Sequence, residues 1–205
     1  MSFPCVAALE LFGRHKFFSA ADIPGENNAG PVVHDEPLLP INETTYSYQP
    51  VGIVLSEDRE EARRIARMYR VNGEPLDSVV STIAEATEVG QVLHEPLILE
   101  NHFTDSSFSQ CPHVTQCGLS IGGQDHVYLE GQIALVVPSS DGIHVVSSTQ
   151  HPTEVQDLIA ALLDINAATV TVEVRRMGGA FGGKESQAAH FAMLAALGAH
   201  LTGLP

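Results

Sequence analysis

The chain has 205 residues, 44% of them hydrophobic, which is enough to build one or two hydrophobic cores. Its formal net charge is −15 at pH 7. Because so negative a chain repels phosphate backbones, this charge argues against a nucleic-acid-binding protein. The three cysteines are not spaced as C-x-x-C, which argues against a secreted disulfide framework and favours a reducing compartment.

No targeting or membrane segment is visible in the sequence. Glu10, Arg14 and Lys16 interrupt the apolar N-terminus, which argues against a signal peptide. No stretch approaches the roughly 18 to 20 apolar residues that a membrane span needs. We therefore expect a soluble, cytoplasmic protein.

The first part of the chain predicts a long loop followed by a strand and a helix. Residues 21–39 are rich in Pro, Gly and Asn, as loops are, and residues 50–55 form an apolar run of strand length. Ser56 is expected to cap a helix whose apolar residues recur at helical spacing: Ala62, Ile65, Ala66 and Tyr69. Residues 72–117 show little periodicity and predict a connector over the surface.

The second part begins with strands. Residues 121–123 predict a turn or bulge, and residues 127–130 predict a strand after it. Apolar runs at 133–137 and 143–148 flank a Pro-Ser-Ser-Asp-Gly segment, which is typical of a hairpin.

An α/β pattern follows the hairpin. Pro152 suits the first turn of a helix with one apolar stripe, and alternating valines from Val170 predict the next strand. A glycine-rich turn and a helix from about Glu185 to Leu201 come last. That helix should cover a sheet, yet the sequence predicts too few strands to complete one. We therefore expect the chain to be part of a longer polypeptide.

The glycine-rich stretch RRMGGAFGGKE, residues 175–185, matches neither phosphate-binding motif. Gly178 to Lys184 fit G-x-x-x-x-G-K, but Glu185 stands where a P-loop needs Ser or Thr. The dinucleotide motif fails because Ala180 occupies its second glycine position. The glycines could simply permit a sharp turn. Alternatively, they let the backbone approach a ligand, with Glu185 on the first helical turn accepting hydrogen bonds from a flat, polar substrate.

A zinc site is a weaker possibility. Cys111, His113 and Cys117 have ligand-like spacing, but the sequence offers no convincing fourth ligand beyond His94 or His102. Most such groups in irregular segments are not metal sites, and we do not predict one here.

Three long segments carry a family resemblance. IGGQDHVYLEGQIALVVP (121–138), STQHPTEVQ (148–156) and VRRMGGAFGGKESQ (174–187) resemble the molybdenum-binding subunit of the xanthine dehydrogenase and aldehyde oxidase family. Residues 21–39 are similar to the N-terminal domain of that subunit. The resemblance implies an α+β or α/β chain in three parts. These are a truncated α/β hammerhead-like domain (1–90), a connector (91–117) and the first part of a molybdopterin-binding α/β domain (118–205).

The resemblance also implies an activity. Such enzymes oxidise hypoxanthine and xanthine to urate at a molybdenum held by molybdopterin, with water as the oxygen source. Electrons pass through 2Fe-2S clusters and FAD to NAD; this segment binds neither group. Its partners would be a purine, the rest of the molybdenum subunit, and the FAD and iron–sulfur parts of a dimeric enzyme. An aldehyde oxidase-type hydroxylase and a non-catalytic binding or scaffold module are the alternatives.

Four residues acquire roles from the resemblance. The side-chain amide of Gln124 would contact the molybdenum's oxo ligand or the pterin, whereas spacing alone would place it on a solvent-facing, bulged strand with Asp125 and His126. Phe181 and Gly182 would lie beside the metal centre, and Glu185 would hydrogen-bond the purine. No catalytic residue is expected here, because the family's general base is a Glu near the far end of a much longer subunit. We therefore expect the fragment to be inactive alone.

Overall fold

The computed structural model describes residues 16–76, 79–99 and 105–205, which fall into two compact units. The first unit joins the described residues up to Pro75 with Asp125–Pro205, and the second contains the described residues of Leu76–Gln124. Strands and helices are numbered in chain order.

A three-stranded sheet is the centre of the first unit. β3 (Ala134–Ser139) and β4 (Gly142–Ser147) form the predicted antiparallel hairpin, closed by two residues. β4 then pairs in parallel with β5 (Val170–Glu173), and α4 (Pro152–Leu163) makes the crossover between them. This βαβ unit confirms the α/β pattern read from the sequence.

One face of the sheet carries the core. Val136 pairs with Val145 and both are buried, whereas Leu135 and Val137 on the alternate positions are about half and one-third exposed. α4 and α5 (Gln187–Thr202) pack against each other and on this sheet. The buried side chains of α5 are mostly small, which allows close approach to its neighbours: Ala188, Ala189, Ala192, Met193, Ala196, Leu197 and Ala199.

The predicted loop at residues 21–39 is irregular, as expected, but its end lies in the core. Leu38 and Leu39 are fully buried with the sheet and helices. Asn27 holds this end in place, since its amide nitrogen donates to the Leu39 carbonyl at 2.7 Å and its amide oxygen accepts from the Leu39 N–H at 3.0 Å. These bonds satisfy a buried backbone that has no strand partner.

A second, two-stranded sheet pairs β1 (Lys16–Phe18) with β2 (Ile53–Leu55), antiparallel, and α1 (Arg59–Ala66) follows. The predicted cap, Ser56, is wrong. Asp58 caps α1 by accepting from the Glu61 N–H at 2.7 Å, because its charged carboxylate suits the positive end of the helix. Tyr69 lies beyond the helix and stacks on Phe17, with ring centroids 4.8 Å apart.

The strand predicted at residues 127–130 is also wrong. Val127 has a positive φ of 45°, which breaks an extended chain, and Leu129 is fully exposed. The segment lies beside a glycine-rich turn rather than another strand, so no ladder of backbone bonds can form. A single backbone–backbone hydrogen bond, from the Glu130 N–H to the Gly178 carbonyl at 3.4 Å, joins the two.

The second unit contains two short helices in an otherwise irregular chain. α2 (Ile83–Glu88) has a capping box between Thr82 and Glu85, and α3 (Asp105–Phe108) is a single turn. None of the described side chains of this unit is buried. Across the described ranges of the chain, no helix combines the length and the apolar character needed to cross a membrane.

Candidate functional site

The candidate site lies where the two parallel strands end. β4 leads directly into residues 148–150, and β5 leads into residues 178–184, hereafter the glycine turn. Because the strands are parallel, both segments leave the sheet at the same edge. That edge is where α/β proteins place their ligands.

The glycine turn holds an aromatic residue in a strained conformation. Gly179 and Gly182 both have φ of +93°, and Phe181 between them has φ of +54°. For a residue with a side chain, such a backbone costs about 1 to 2 kcal/mol. The Phe181 side chain is nevertheless 76% exposed, so burial of its ring does not offset that strain.

One carboxylate oxygen closes the turn. Glu130 Oε2 accepts from the Gly178 N–H at 2.8 Å, from Lys184 Nζ at 2.8 Å and from Ser148 Oγ at 2.7 Å. These donors, Lys184 first, lower the pKa of Glu130 to about 2. Lys184 is completely buried; its Nζ also donates to Ser148 Oγ at 2.9 Å and lies 5.0 Å from the centre of the Tyr128 ring.

Two glutamines fix the rest of the turn's backbone. Gln150 Oε1 accepts from the Gly182 N–H at 3.0 Å and the Lys184 N–H at 3.4 Å, while the Gln150 N–H donates to the Lys184 carbonyl at 2.9 Å. Gln132 Nε2 donates to the Gly183 carbonyl at 3.2 Å. The turn is therefore bonded on both sides of Phe181.

Two of the glycines make room for the protein itself. A Cβ on Gly183 would lie 2.5 Å from Cε1 of Tyr128 and 2.9 Å from Cγ of His126, and one on Gly178 would lie 2.7 Å from Cβ of Glu130. Such distances leave no space for a side chain. The structure thus supports the simpler interpretation at these two positions: glycine lets residues 126–130 pack against the turn.

Three of the four predicted site residues follow one another closely. Phe181 and Gly182 are exposed within the turn, and Glu185 comes directly after it. Glu185 is exposed, and its carboxylate makes no hydrogen bond or ion pair within the described part of the chain. Gln124 is also exposed and is the last residue of the second unit.

The helix after the turn begins later than predicted. Ser186 is the N-cap and α5 starts at Gln187, so Glu185 precedes the first helical turn. The reason is local, because the Glu185 N–H donates to the Gly182 carbonyl at 3.3 Å and thus belongs to the turn. The expected stabilisation of Glu185 by the helix dipole is correspondingly weaker.

Sequence reasoning missed the residues that hold the turn together: Glu130, Ser148, Gln150 and Lys184. A signal existed for Ser148 and Gln150, since Ser148 ends a predicted strand of a βαβ unit and Gln150 lies two residues beyond it. His126 was expected to face solvent; it is exposed, but its ring lies against the glycine turn.

Other polar groups of the described residues are weaker candidates for a functional site. Cys111 and Cys117 are exposed free thiols, His102 lies outside the described residues, and no group of three metal-ligating side chains occurs within them. An open pocket of about 400 Å³ near the start of α4 is lined in part by Glu26, Glu154 and Asp157. Its carboxylates would repel an anionic cofactor.

Known proteins resemble this chain over most of its length. The molybdopterin cofactor-binding domain family matches residues 87–205. Xanthine dehydrogenase of Drosophila subobscura is 39% identical over 197 residues, which are 95% of this chain and 15% of that protein. Aldehyde oxidase 2 of Cavia porcellus is 33% identical over 200 residues, 97% of this chain and 15% of that protein.

The fold has a counterpart among solved structures. Quinoline 2-oxidoreductase from Pseudomonas putida 86 superposes with a TM-score of 0.70 at 20% identity, covering 93% of this chain and 27% of that one. The chain thus spans only a small part of the proteins that it matches. The resemblance read from residues 121–138, 148–156 and 174–187 is confirmed, and the chain belongs to the molybdopterin cofactor-binding domain family, with xanthine dehydrogenases among its relatives.

Proposed function

We propose that this chain forms one wall of the active site of a molybdenum hydroxylase that oxidises hypoxanthine and xanthine to urate, with water as the oxygen source. Family membership and the xanthine dehydrogenase relatives support this proposal. In the complete enzyme, electrons leave through 2Fe-2S clusters and FAD, held by other parts, to NAD. The segment is inactive alone because it lacks the general base.

The residues of the glycine turn fit a molybdopterin cofactor. Within the described chain, the N–H groups of Gly179 and Phe181 donate to no protein acceptor, so they are available to oxygen atoms of an anionic ligand. Gly182 has no side chain that would keep a ligand from its backbone. By the family resemblance alone, the side-chain amide of Gln124 would contact the cofactor as well. When bound, the cofactor supplies the redox-active metal that accepts the substrate's electrons.

Phe181 and Glu185 bind the substrate. The exposed ring of Phe181 offers a flat surface beside which a planar heterocycle stacks. Four residues on, the free carboxylate of Glu185 accepts hydrogen bonds from the N–H groups of a purine. The observation that carries the proposal is this pairing of an uncovered ring and an unpartnered carboxylate on a backbone fixed by hydrogen bonds.

The domain organisation is part of the same proposal. By the family resemblance, residues 1–90 would belong to a hammerhead-like domain, residues 91–117 would be a connector and residues 118–205 would belong to the molybdopterin-binding domain. The remaining part of the molybdenum subunit completes the pocket, and the whole enzyme is a cytoplasmic dimer.

Kinetics of the native full-length protein test the role of Glu185. Loss of a charge-assisted hydrogen bond costs about 1.5 to 3 kcal/mol, so Glu185→Ala should lower kcat/KM for xanthine roughly 10- to 150-fold, mostly through KM. Glu57→Ala, which removes an exposed carboxylate ahead of α1, is the control and should change nothing. Purine kinetics equal to wild type would remove Glu185 from the site, and a native protein without molybdenum would favour the scaffold alternative.

A second candidate is an aldehyde oxidase-type hydroxylase. The 33% identity to Aldehyde oxidase 2 of Cavia porcellus favours it. The carboxylate at Glu185 argues for purines, because an aldehyde has no N–H group for it to accept from. Turnover of xanthine, hypoxanthine and an aromatic aldehyde by the full-length protein separates the two.

A further inference from the structure

The glycine turn contains a fully buried ammonium that the proposed function leaves unexplained. Lys184 has no exposed surface. Removing an ammonium from water is costly unless it is paired and hydrogen-bonded, and an apolar side chain of similar size would fill the space at lower cost. The pairing of Lys184 with Glu130 and Ser148 therefore has a use beyond filling volume.

The hydrogen bonds of Glu130 indicate what the buried pair does, because they join the two ends of the glycine turn. The turn runs from Gly178 to Lys184, and a single oxygen of Glu130 bonds to the backbone of its first residue and the side chain of its last. Among the described residues, Glu130 is the only one that bonds to both ends. Gln150 holds the second half of the turn but does not reach Gly178.

Phe181 lies at the middle of this closed segment. Its φ of +54° is unfavourable, so an unrestrained turn would relax toward a conformation with negative φ and move the ring. Fixing the distance between Gly178 and Lys184 opposes that relaxation.

We propose that the Glu130–Lys184 ion pair is a positioning device: by joining the two ends of the glycine turn, it holds the ring of Phe181 in the orientation that the substrate meets. The inference rests on the proposed function and adds to it. Neither Glu130 nor Lys184 touches the substrate; both act through Phe181. Lys184→Met keeps an unbranched side chain that is one heavy atom shorter, and it removes the ammonium that forms the bridge.

A double-mutant cycle in the native full-length protein tests the proposal. Lys184→Met alone should lower kcat/KM for xanthine about tenfold, whereas in a Phe181→Ala background the same change should cost less than about twofold, since the residue it positions is gone. A purely structural role would give the same factor in both backgrounds, and that result would overturn the proposal. Arg175→Met is the control, because Arg175 is an exposed cation bonded to Glu173 outside the bridge.

Hydrogen exchange gives a readout that needs neither molybdenum nor turnover. Peptides covering residues 178–184 should exchange faster in Lys184→Met than in wild type, while peptides from the middle of α5 keep their rates. Unchanged exchange across the turn contradicts the proposal, whatever the activity. If the turn exchanges faster in the variant but the native protein contains no molybdenum, the role of the Glu130–Lys184 ion pair in holding the turn is supported. The proposed function is then contradicted.

A second variant guards against loss of folding. Lys184→Gln keeps an N–H donor of shorter reach and should show an intermediate loss of kcat/KM and intermediate exchange in the turn. If Lys184→Met does not accumulate as folded protein, the cycle with Phe181→Ala is measured on Lys184→Gln. Equal factors in the two backgrounds then overturn the proposal in the same way.

Discussion

Phe181 combines three properties that rarely occur together: a large apolar side chain, high exposure and a left-handed backbone. An apolar side chain that stays exposed contributes little to folding, and a left-handed backbone at a non-glycine residue is unfavourable. Natural chains keep such residues mainly where a ligand uses them, and the neighbouring structure then has to enforce the conformation. The hydrogen bonds of Glu130, Gln132 and Gln150 supply this enforcement.

Replacing Phe181 separates its backbone cost from its side chain. Phe181→Gly and Phe181→Ala both remove the ring, but only glycine adopts φ of +54° without strain. The glycine variant should therefore be more stable than the alanine variant by about 1 kcal/mol in urea unfolding. Equal stabilities, or a more stable alanine variant, would mean that the positive φ does not persist in solution.

Acid should weaken the turn in a defined pH range. The pKa of Glu130 lies at about 2 instead of 4.5, so the ionised carboxylate favours the folded state. This contribution is complete above pH 4.5 and disappears as the pH falls toward 2, because the folded protein must then take up the proton that the unfolded chain binds more readily. Glu130→Gln should lose stability at neutral pH and show a shallower decline between pH 4.5 and 2. Melting temperatures measured across that range check this, with Glu57→Gln as the control that keeps the wild-type slope.

The sequence pattern pointed to the exposed residues of the candidate site, whose roles stay predictions, and it did not point to the residues that support the glycine turn. Phe181, Gly182 and Glu185 are contiguous with an unusual glycine cluster, so a local pattern points to them. Lys184 belongs to the same pattern, but its partner is 54 residues away along the chain. A separation of 54 residues leaves no periodic pattern in the sequence from which the pairing of Lys184 with Glu130 could be predicted. A lysine after glycines is moreover typical of a phosphate site, so the sequence favours a phosphate-binding lysine over a buried ion pair.

At the level of elements, the apolar pattern predicted those that bury a face. The hairpin strands are apolar runs on either side of a turn sequence, and α4 has a continuous apolar stripe, so both were predictable. Residues 127–130 are also mostly apolar, yet they pack on a turn whose backbone offers no ladder. The loop at 21–39 was recognised from its composition, but its role in the core was not, because Asn27 supplies bonds that a strand partner would otherwise make.

This loop also covers the end of a helix. The N–H groups of Gly25 and Glu26 donate to the carbonyls of Leu162 and Ala161, both at 2.9 Å, and thereby satisfy the C-terminal turn of α4. A Cβ on Gly25 would lie 2.1 Å from the Ala161 carbonyl oxygen, so no side chain fits.

Gly25→Ala should consequently displace the loop from α4. The expected loss of stability is about 2 kcal/mol or more, since two backbone bonds at a helix end are broken as well as close packing. Gly118→Ala is the matched control, because nothing lies within 4 Å of its added Cβ. Urea unfolding of both variants measures the difference. A Gly25→Ala variant as stable as Gly118→Ala would show that the loop does not rest on the helix in solution.

At the scale of the whole molecule, apolar surface is distributed unevenly. The first unit encloses a continuous core between its sheet, α4 and α5. In the second unit every described side chain is at least partly exposed, including Leu93, Leu97, Leu99 and Leu119. Burial of apolar surface is the main term that offsets the entropy lost when a chain is ordered. In the described part of the second unit, the ordered conformation therefore depends mostly on local hydrogen bonds, such as the capping box of α2.

This difference predicts how the two units exchange hydrogen in the 205-residue chain. Peptides from the middle of α4 and α5 should be protected by large factors, because their exchange requires opening of the core. Peptides from residues 79–99 and 105–124 should exchange within seconds to minutes at neutral pH, with α2 slowest among them through its capping box. Thr82→Ala should remove that residual protection in α2 and leave α5 unaffected. Protection across 79–124 equal to that of α5 would mean that the second unit buries apolar side chains which its described contacts do not cover.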